Sequence, residues 1–116
     1  MKTNPRMLAV LRHLQKEFAL DYFEAELLGD DLVANLESLE MDILRFARAG
    51  NWKDLADAAC ALESLGANLG EAELQQFGVT LRAAAAAQDA QAEQVAWSLD
   101  KFLAEFGYRK EALGPT

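Results

Sequence analysis

The sequence predicts an all-α protein, a four-helix up-down bundle with additional short helices at its N-terminus. Val and Ile are scarce, whereas Leu and Ala, which are strong helix formers, dominate the chain. The two prolines, Pro5 and Pro115, stand near the chain ends, where neither interrupts a helix. Apolar residues recur every three or four positions between short loops, a pattern typical of antiparallel amphipathic helices. We therefore expect residues 1–116 to form a single domain, in which helices within 1–28 cap a bundle built from 30–106.

The N-terminal segment predicts two short helices. Asn4 as N-cap and Pro5 in the first turn mark the beginning of the first helix. Its apolar positions recur at helical spacing and are Leu8, Leu11, Leu14 and Phe18. The second helix begins near Asp21 and is expected to end at Leu28, because Gly29 follows and glycine is common just past a helix end.

The next two helices are predicted from caps and glycines. Asp30 or Asp31 is expected to cap a long helix that ends at about Ala49. Its inward positions are Leu32, Leu36, Leu39, Ile43 and Phe46. Asn51 caps the following helix, and Gly70 ends it. The inward positions of this helix are Leu55, Ala59, Leu62, Leu65 or Gly66, and Leu69.

The last two helices form an antiparallel pair. The first of them spans about Glu71 to Ala87, and its apolar positions are Leu74, Phe77, Leu81 and Ala84. A corner at Gln88 and Asp89 leads into the second, which Gly107 ends. The apolar positions of the second helix are Ala92, Val95, Leu99, Phe102, Leu103 and Phe106.

Composition argues against several classes of function. The chain carries 19 acidic and 11 basic residues, a net charge of -8, and such a surface repels a phosphate backbone, so no nucleic-acid partner is expected. One cysteine, Cys60, excludes an internal disulfide framework, and one histidine, His13, argues against a His/Cys metal cluster. No uncharged stretch is long enough for a membrane span or a secretory signal. We expect a cytoplasmic protein with no metal, cofactor or membrane partner.

Charge is distributed unevenly along the chain. The first 16 residues contain four bases and no acid, whereas residues 17–44 contain nine acids and no base. The basic first helix is expected to pack beside the acidic segment and to neutralise it within the chain. The alternative is a basic amphipathic helix that engages a partner or an anionic surface.

The segment from Ala56 to Gly70, which reads ADAACALESLGANLG, resembles the signature of the histidine phosphotransfer domain family. In that family a helix carries His-x-Leu-Lys-Gly, with a small residue before the histidine and a Leu-Gly pair further on. Matching positions here are Ala59, Leu62, Asn68, Leu69 and Gly70. The resemblance covers roughly Leu27 to Phe106, includes the order of the helices, and implies the family's four-helix bundle.

Three positions depart from the signature. Cys60 stands where the family has its phosphorylated histidine, Glu63 replaces the lysine, and Ser64 replaces the first glycine. A thiol forms no phosphoramidate, and Glu63 lies one turn from Cys60, where its carboxylate repels a phosphate. The resemblance therefore implies the fold and the docking surface of the family without its phosphotransfer activity, and we expect no enzyme.

Helical spacing places Cys60 on a face of its helix turned away from the leucine stripe. The residues of this Cys60 face are Lys53, Ala56, Asp57, Cys60, Glu63, Ser64 and Ala67. From the resemblance we expect the face to bind a response-regulator receiver domain or a histidine kinase of a two-component phosphorelay. The alternative is that Cys60 is a semi-buried packing residue, and a thiol-based role has no basic neighbour within the motif to support it.

Two other functions remain open at this point. The chain could be an active phosphotransfer protein with Cys60 or His13 as a non-standard acceptor, although His13 stands beside Arg12 and Lys16 as an edge or solvated residue would. It could also be a structural helical-bundle interaction protein unrelated to signalling. A receiver-binding assay and the observed exposure of Cys60 distinguish these possibilities.

Overall fold

The computed structural model describes residues 5–105, and every regular element within that range is an α-helix. The helices are α1 (Pro5–Phe18), α2 (Tyr22–Ala49), α3 (Trp52–Leu69), α4 (Ala72–Ala86) and α5 (Ala92–Glu105). Helix α2 has 28 residues, which at about 1.5 Å per residue makes it roughly 42 Å long. The longest dimension of the molecule is 43 Å, so α2 runs along its whole length.

Helix α2 is continuous, and the predicted break at Gly29 is wrong. Asp21 begins the helix with a capping box, in which its side chain accepts from the Glu24 amide while the Glu24 side chain accepts from the Asp21 amide. Gly29 is buried inside the helix, where a Cβ would lie 3.2 Å from a methyl group of Leu11 and 3.6 Å from one of Leu14. The glycine thus lets α1 pack closely on α2. Asp30 and Asp31, predicted as caps, are exposed positions within the same helix.

The other predicted helix bounds lie within one residue of the observed ones where the structure describes them, except that α5 begins at Ala92, three residues after the predicted corner at Gln88 and Asp89. Gly50 and Gly70 take left-handed conformations with φ of 66° and 70°, and each ends a helix. Asn51 caps α3 through a hydrogen bond that its side chain accepts from the Asp54 amide. The predicted cap at Asn4 and the residues from Phe106 onward lie outside the described range.

One hydrophobic core joins all five helices. Helix α2 packs against α3 and α5, α4 packs against the same two helices, and α1 covers α2 and α3. Every inward position predicted for α3 is buried. In α1 the prediction is wrong at Phe18, which is 46% exposed, and the helix instead buries Met7 and Val10 beside Leu11 and Leu14.

Arg6 fastens α1 to the two C-terminal helices. Its guanidinium donates to both carboxylate oxygens of Glu71 at 2.7 and 2.9 Å and to Glu73 at 3.1 Å. It also lies 5.2 Å from the ring centre of Phe102 on α5. Burial acts to lower the pKa of Arg6, but the hydrogen bonds and attraction of Glu71 and then Glu73 outweigh it and raise the pKa above its ordinary value. The sequence led us to expect that the acids of residues 17–44 neutralise the bases of α1. Arg6 instead pairs with Glu71 and Glu73, which lie at the beginning of α4.

Candidate docking surface

Cys60 is exposed at the middle of α3. Its neighbours on the inner side of the helix, Ala59 and Leu62, are completely buried, so the thiol points away from the core. The flanking Ala61 and Ser64 are exposed and small. Cys60 is therefore a surface residue, and the alternative of a semi-buried packing residue does not hold.

The structure keeps the seven residues of the predicted Cys60 face on one side of α3. Five are exposed: Lys53, Asp57, Cys60, Ser64 and Ala67. The other two, Ala56 and Glu63, are half-buried. Lys53 and Asp57 form an exposed ion pair with 3.3 Å between nitrogen and oxygen, one turn apart on the helix. The predicted face is thus a continuous surface, and its N-terminal end carries a balanced pair of charges.

A shallow depression of about 410 Å³ lies at the C-terminal half of this face. Its lining comes from both α3 and α4 and consists of Cys60, Glu63, Ser64, Ala67, Gln75 and Arg82. The structure brings four of the predicted residues together here, whereas Lys53, Ala56 and Asp57 lie outside the depression. Because the hollow is open to solvent and lined by short side chains and a few polar groups, it suits contact with another surface.

Two glycines bring α3 and α4 close together beneath the depression. A Cβ on Gly66 would lie 2.5 Å from the backbone nitrogen of Gln75, and one on Gly78 would lie 2.6 Å from that of Glu63. Such distances leave no room for any side chain at either position, so the backbones of the two helices are in direct contact. This close approach carries polar side chains of α4 up to the Cys60 face.

Arg82 on α4 is the residue that sequence reasoning missed. Its guanidinium donates to the Glu63 carboxylate at 2.9 Å. The carboxylate that was expected to repel an incoming phosphate is therefore paired with a cation, and the pair adds little net charge to the depression. In the folded hairpin Gly66 faces Gln75 and Glu63 faces Gly78, so one more turn along α4 places Arg82 beside Glu63 and Cys60. The sequence of α3 alone carries no signal of this register.

His13 lies elsewhere, against the turn between α3 and α4. Its ring is half-buried and packs on Gly70, where a Cβ would come within 2.6 Å of the ring. Its Nε2 atom is buried and makes no hydrogen bond to the described residues. The structure thus separates His13 from the Cys60 depression.

Within residues 5–105, no group of three or more His, Cys, Asp or Glu side chains is arranged to hold a metal ion. None of the helices in the same range combines the length and the apolar character that crossing a bilayer requires. Comparison with protein-family models, with curated proteins and with solved structures finds no match for this chain.

Proposed function

We propose that this chain is a degenerate relative of the histidine phosphotransfer domains, which binds a receiver domain of a two-component phosphorelay without carrying phosphate itself. The other candidate partner is a histidine kinase, bound through the same Cys60 face. The observation that carries the proposal is the exposure of Cys60 midway along α3, at the position that matches the family's histidine. Binding there would act by competition, because a receiver covered by this face is closed to its phosphodonor.

The helix arrangement supports the same proposal. Helices α2, α3, α4 and α5 each pack on two others of the set, and short turns join them in chain order. We propose that they form an up-down four-helix bundle, with α1 as a cap and residues 1–116 as one domain. In such a bundle the Cys60 face is the outer side of a central hairpin and is open to a partner along its whole length. Receiver domains act in the cytoplasm, and we propose the same location for this chain.

The chemistry of the face supports docking without phosphotransfer. Cys60 offers a thiol in place of an imidazole, so the phosphoramidate of the family has no nitrogen on which to form. Glu63 and Arg82 pair with each other, as do Lys53 and Asp57, which leaves the surface close to neutral. A specific interface buries roughly 800 Å² on each partner. The depression alone is smaller than that, so exposed parts of α3 and α4 around it must contribute.

The proposal is tested by placing a large cation on the face. Cys60→Arg and Ser64→Arg each insert a long side chain into the centre of the proposed interface, where truncations and clashes have the largest effect. We expect each change to weaken binding at least about tenfold, which corresponds to about 1.4 kcal/mol. Binding is measured by titration calorimetry against a panel of purified receiver domains from the organism that carries the chain.

Ala34→Arg on α2 is the matched control, because Ala34 is also exposed and lies off the Cys60 face. This variant should bind as the unchanged protein does, which separates a local clash from an effect of added charge. Absence of binding to every receiver, or equal binding by all variants, would contradict the proposal and favour a structural bundle unrelated to signalling.

A further inference from the structure

An aromatic corner projects from the junction of α1 and α2. Phe18 and Tyr22 are each 46% exposed, Leu27 is 53% exposed and Phe23 is 67% exposed. Among the described residues only six large apolar side chains are exposed, and these four fall within ten positions of the sequence. Phe23 and Leu27 are one turn apart on α2 and lie side by side. Clustered exposure of this kind marks a contact surface, whereas single exposed apolar residues need no explanation.

The geometry of α2 explains why the corner is bare. Helix α2 has 28 residues and α3 has 18, and a tight turn at Gly50 joins them. The first turns of α2 therefore extend beyond the end of α3, and α1 packs against this part of α2 at Gly29. Ala25 and Gly29 form the side that α1 covers. Phe23 and Leu27 lie nearly opposite on the helix, at 100° per residue, so they face away from the side that contacts α1.

The corner is rimmed by carboxylates. Exposed acids stand between and beside the apolar residues, and they are Glu17, Asp21, Glu24 and Asp31. No base occurs from residue 17 to residue 44, and the nearest one on the N-terminal side is Lys16. An anionic membrane would be repelled by this rim, and a second copy of the chain would bring like charges together. The apolar centre and acidic edge instead complement a surface with an apolar stripe and flanking bases.

We propose that the aromatic corner is a docking surface for a basic amphipathic helix of a partner protein. The aromatic and leucine side chains would insert between the apolar residues of that helix, and the rim would pair with its Lys and Arg side chains. This surface shares no residue with the Cys60 face, so one molecule can hold two partners at once. The inference stands or falls separately from receiver binding.

The test uses the full chain and designed peptides as probes. The first peptide is an amphipathic helix of Leu and Lys, the second replaces Lys by Glu, and the third replaces Leu by Ser. We expect only the Leu/Lys peptide to bind, with an affinity that falls as salt is added. The double variant Phe23→Ala with Leu27→Ala should weaken that binding about tenfold. Fluorescence anisotropy of the labelled peptides measures each affinity.

Met41→Ala is the matched control, because Met41 is on the same helix, is 56% exposed and lies outside the corner. Equal loss of binding in this variant would show non-specific hydrophobic attachment and overturn the proposal. If the Ser/Lys peptide bound as tightly as the Leu/Lys peptide, charge alone would account for the contact. That result would also overturn the proposal. Sedimentation equilibrium measures whether the chain dimerises. A dimer that the double variant abolishes would assign the corner to a second copy of the chain and would overturn the proposal. Far-UV circular dichroism verifies that both variants fold.

Discussion

Glu63 and Arg82 join α3 to α4 beside Cys60 through an ion pair of 2.9 Å. Both side chains are partly exposed, so the pair contributes only about 0–1 kcal/mol to stability. The pair also fixes a guanidinium in the depression that Cys60 lines. The same arginine would be available to a phosphate if Glu63 did not hold it.

This arrangement predicts how phosphoryl acceptance could be introduced. Cys60→His supplies the imidazole, and Glu63→Lys both adds a cation and releases Arg82. We expect the double variant to take an acid-labile phosphoryl group from the aspartyl phosphate of a receiver, whereas the unchanged protein takes none. Transfer is measured with labelled phosphate, followed by acid treatment of the protein.

Cys60→Ala with Glu63→Lys is the control, because it has the same charges and lacks the new imidazole. Label on this control or on the unchanged chain would indicate an acceptor such as His13 and would favour an active phosphotransfer protein. An unlabelled double variant that is still folded would count against receiver docking at the Cys60 face.

At the scale of the helices, the contact between α3 and α4 is set by Gly66 and Gly78. Each glycine meets backbone atoms of the opposite helix, which cannot move aside as the end of a flexible side chain can. We expect Gly66→Ala and Gly78→Ala each to lower the free energy of unfolding by about 1–3 kcal/mol through overpacking. Urea unfolding followed by circular dichroism provides the measurement.

Gly29→Ala on α2 is the matched control for these changes. Gly29 is also a buried helix position, but a Cβ there would meet leucine methyl groups at 3.2 and 3.6 Å. The gain in helix propensity, about 1 kcal/mol, should offset the crowding and leave stability nearly unchanged. If Gly66→Ala were as well tolerated, the two helices would be further apart than the structure has them.

The helices were predictable from sequence wherever the local signals agree with the packing. At Gly50, Gly70 and Asn51 a turn residue or cap coincides with the end of the apolar stripe, and the predicted bounds hold. At Gly29 the same local signal fails, because glycine there provides space for α1 and the decision lies in a tertiary contact. At Ala19 the opposite failure occurs: a turn follows α1 although no glycine predicts it. Ala19 itself takes the left-handed conformation there, with φ of 53°.

The candidate site was predictable only in the part that one helix carries. Periodicity along α3 gives the side on which Cys60 lies, since burial alternates at helical spacing. The partner of Glu63 could not be read from that helix, because Arg82 reaches it across a hairpin whose register depends on the two close-packed glycines. The contact of each glycine with the backbone of the opposite helix is a property of the folded pair.

At the scale of the whole molecule, Arg6 connects the first helix to the last two. It is a long side chain that reaches Glu71, which is buried, and lies over Phe102. Arg6→Gln removes the charged partner of Glu71, and hydrogen bonding to a charged group is worth roughly 1.5–3 kcal/mol. We expect a loss of about 1–3 kcal/mol in unfolding free energy, with faster amide exchange in α1 than in α3.

Arg12→Gln is the control for this prediction. Arg12 lies on the same helix and is exposed, so its replacement should change stability by no more than about 0.5 kcal/mol. Equal effects of the two substitutions would mean that α1 is held by its apolar side alone.

Cys60 carries the one thiol of the chain, and its side chain is exposed to solvent at the centre of the proposed receiver contact. A maleimide dye would therefore attach at a single place without any engineering of the protein. Its emission would report the arrival of a partner over α3, and a bulky label would block that arrival. The single exposed thiol thus makes this surface directly observable.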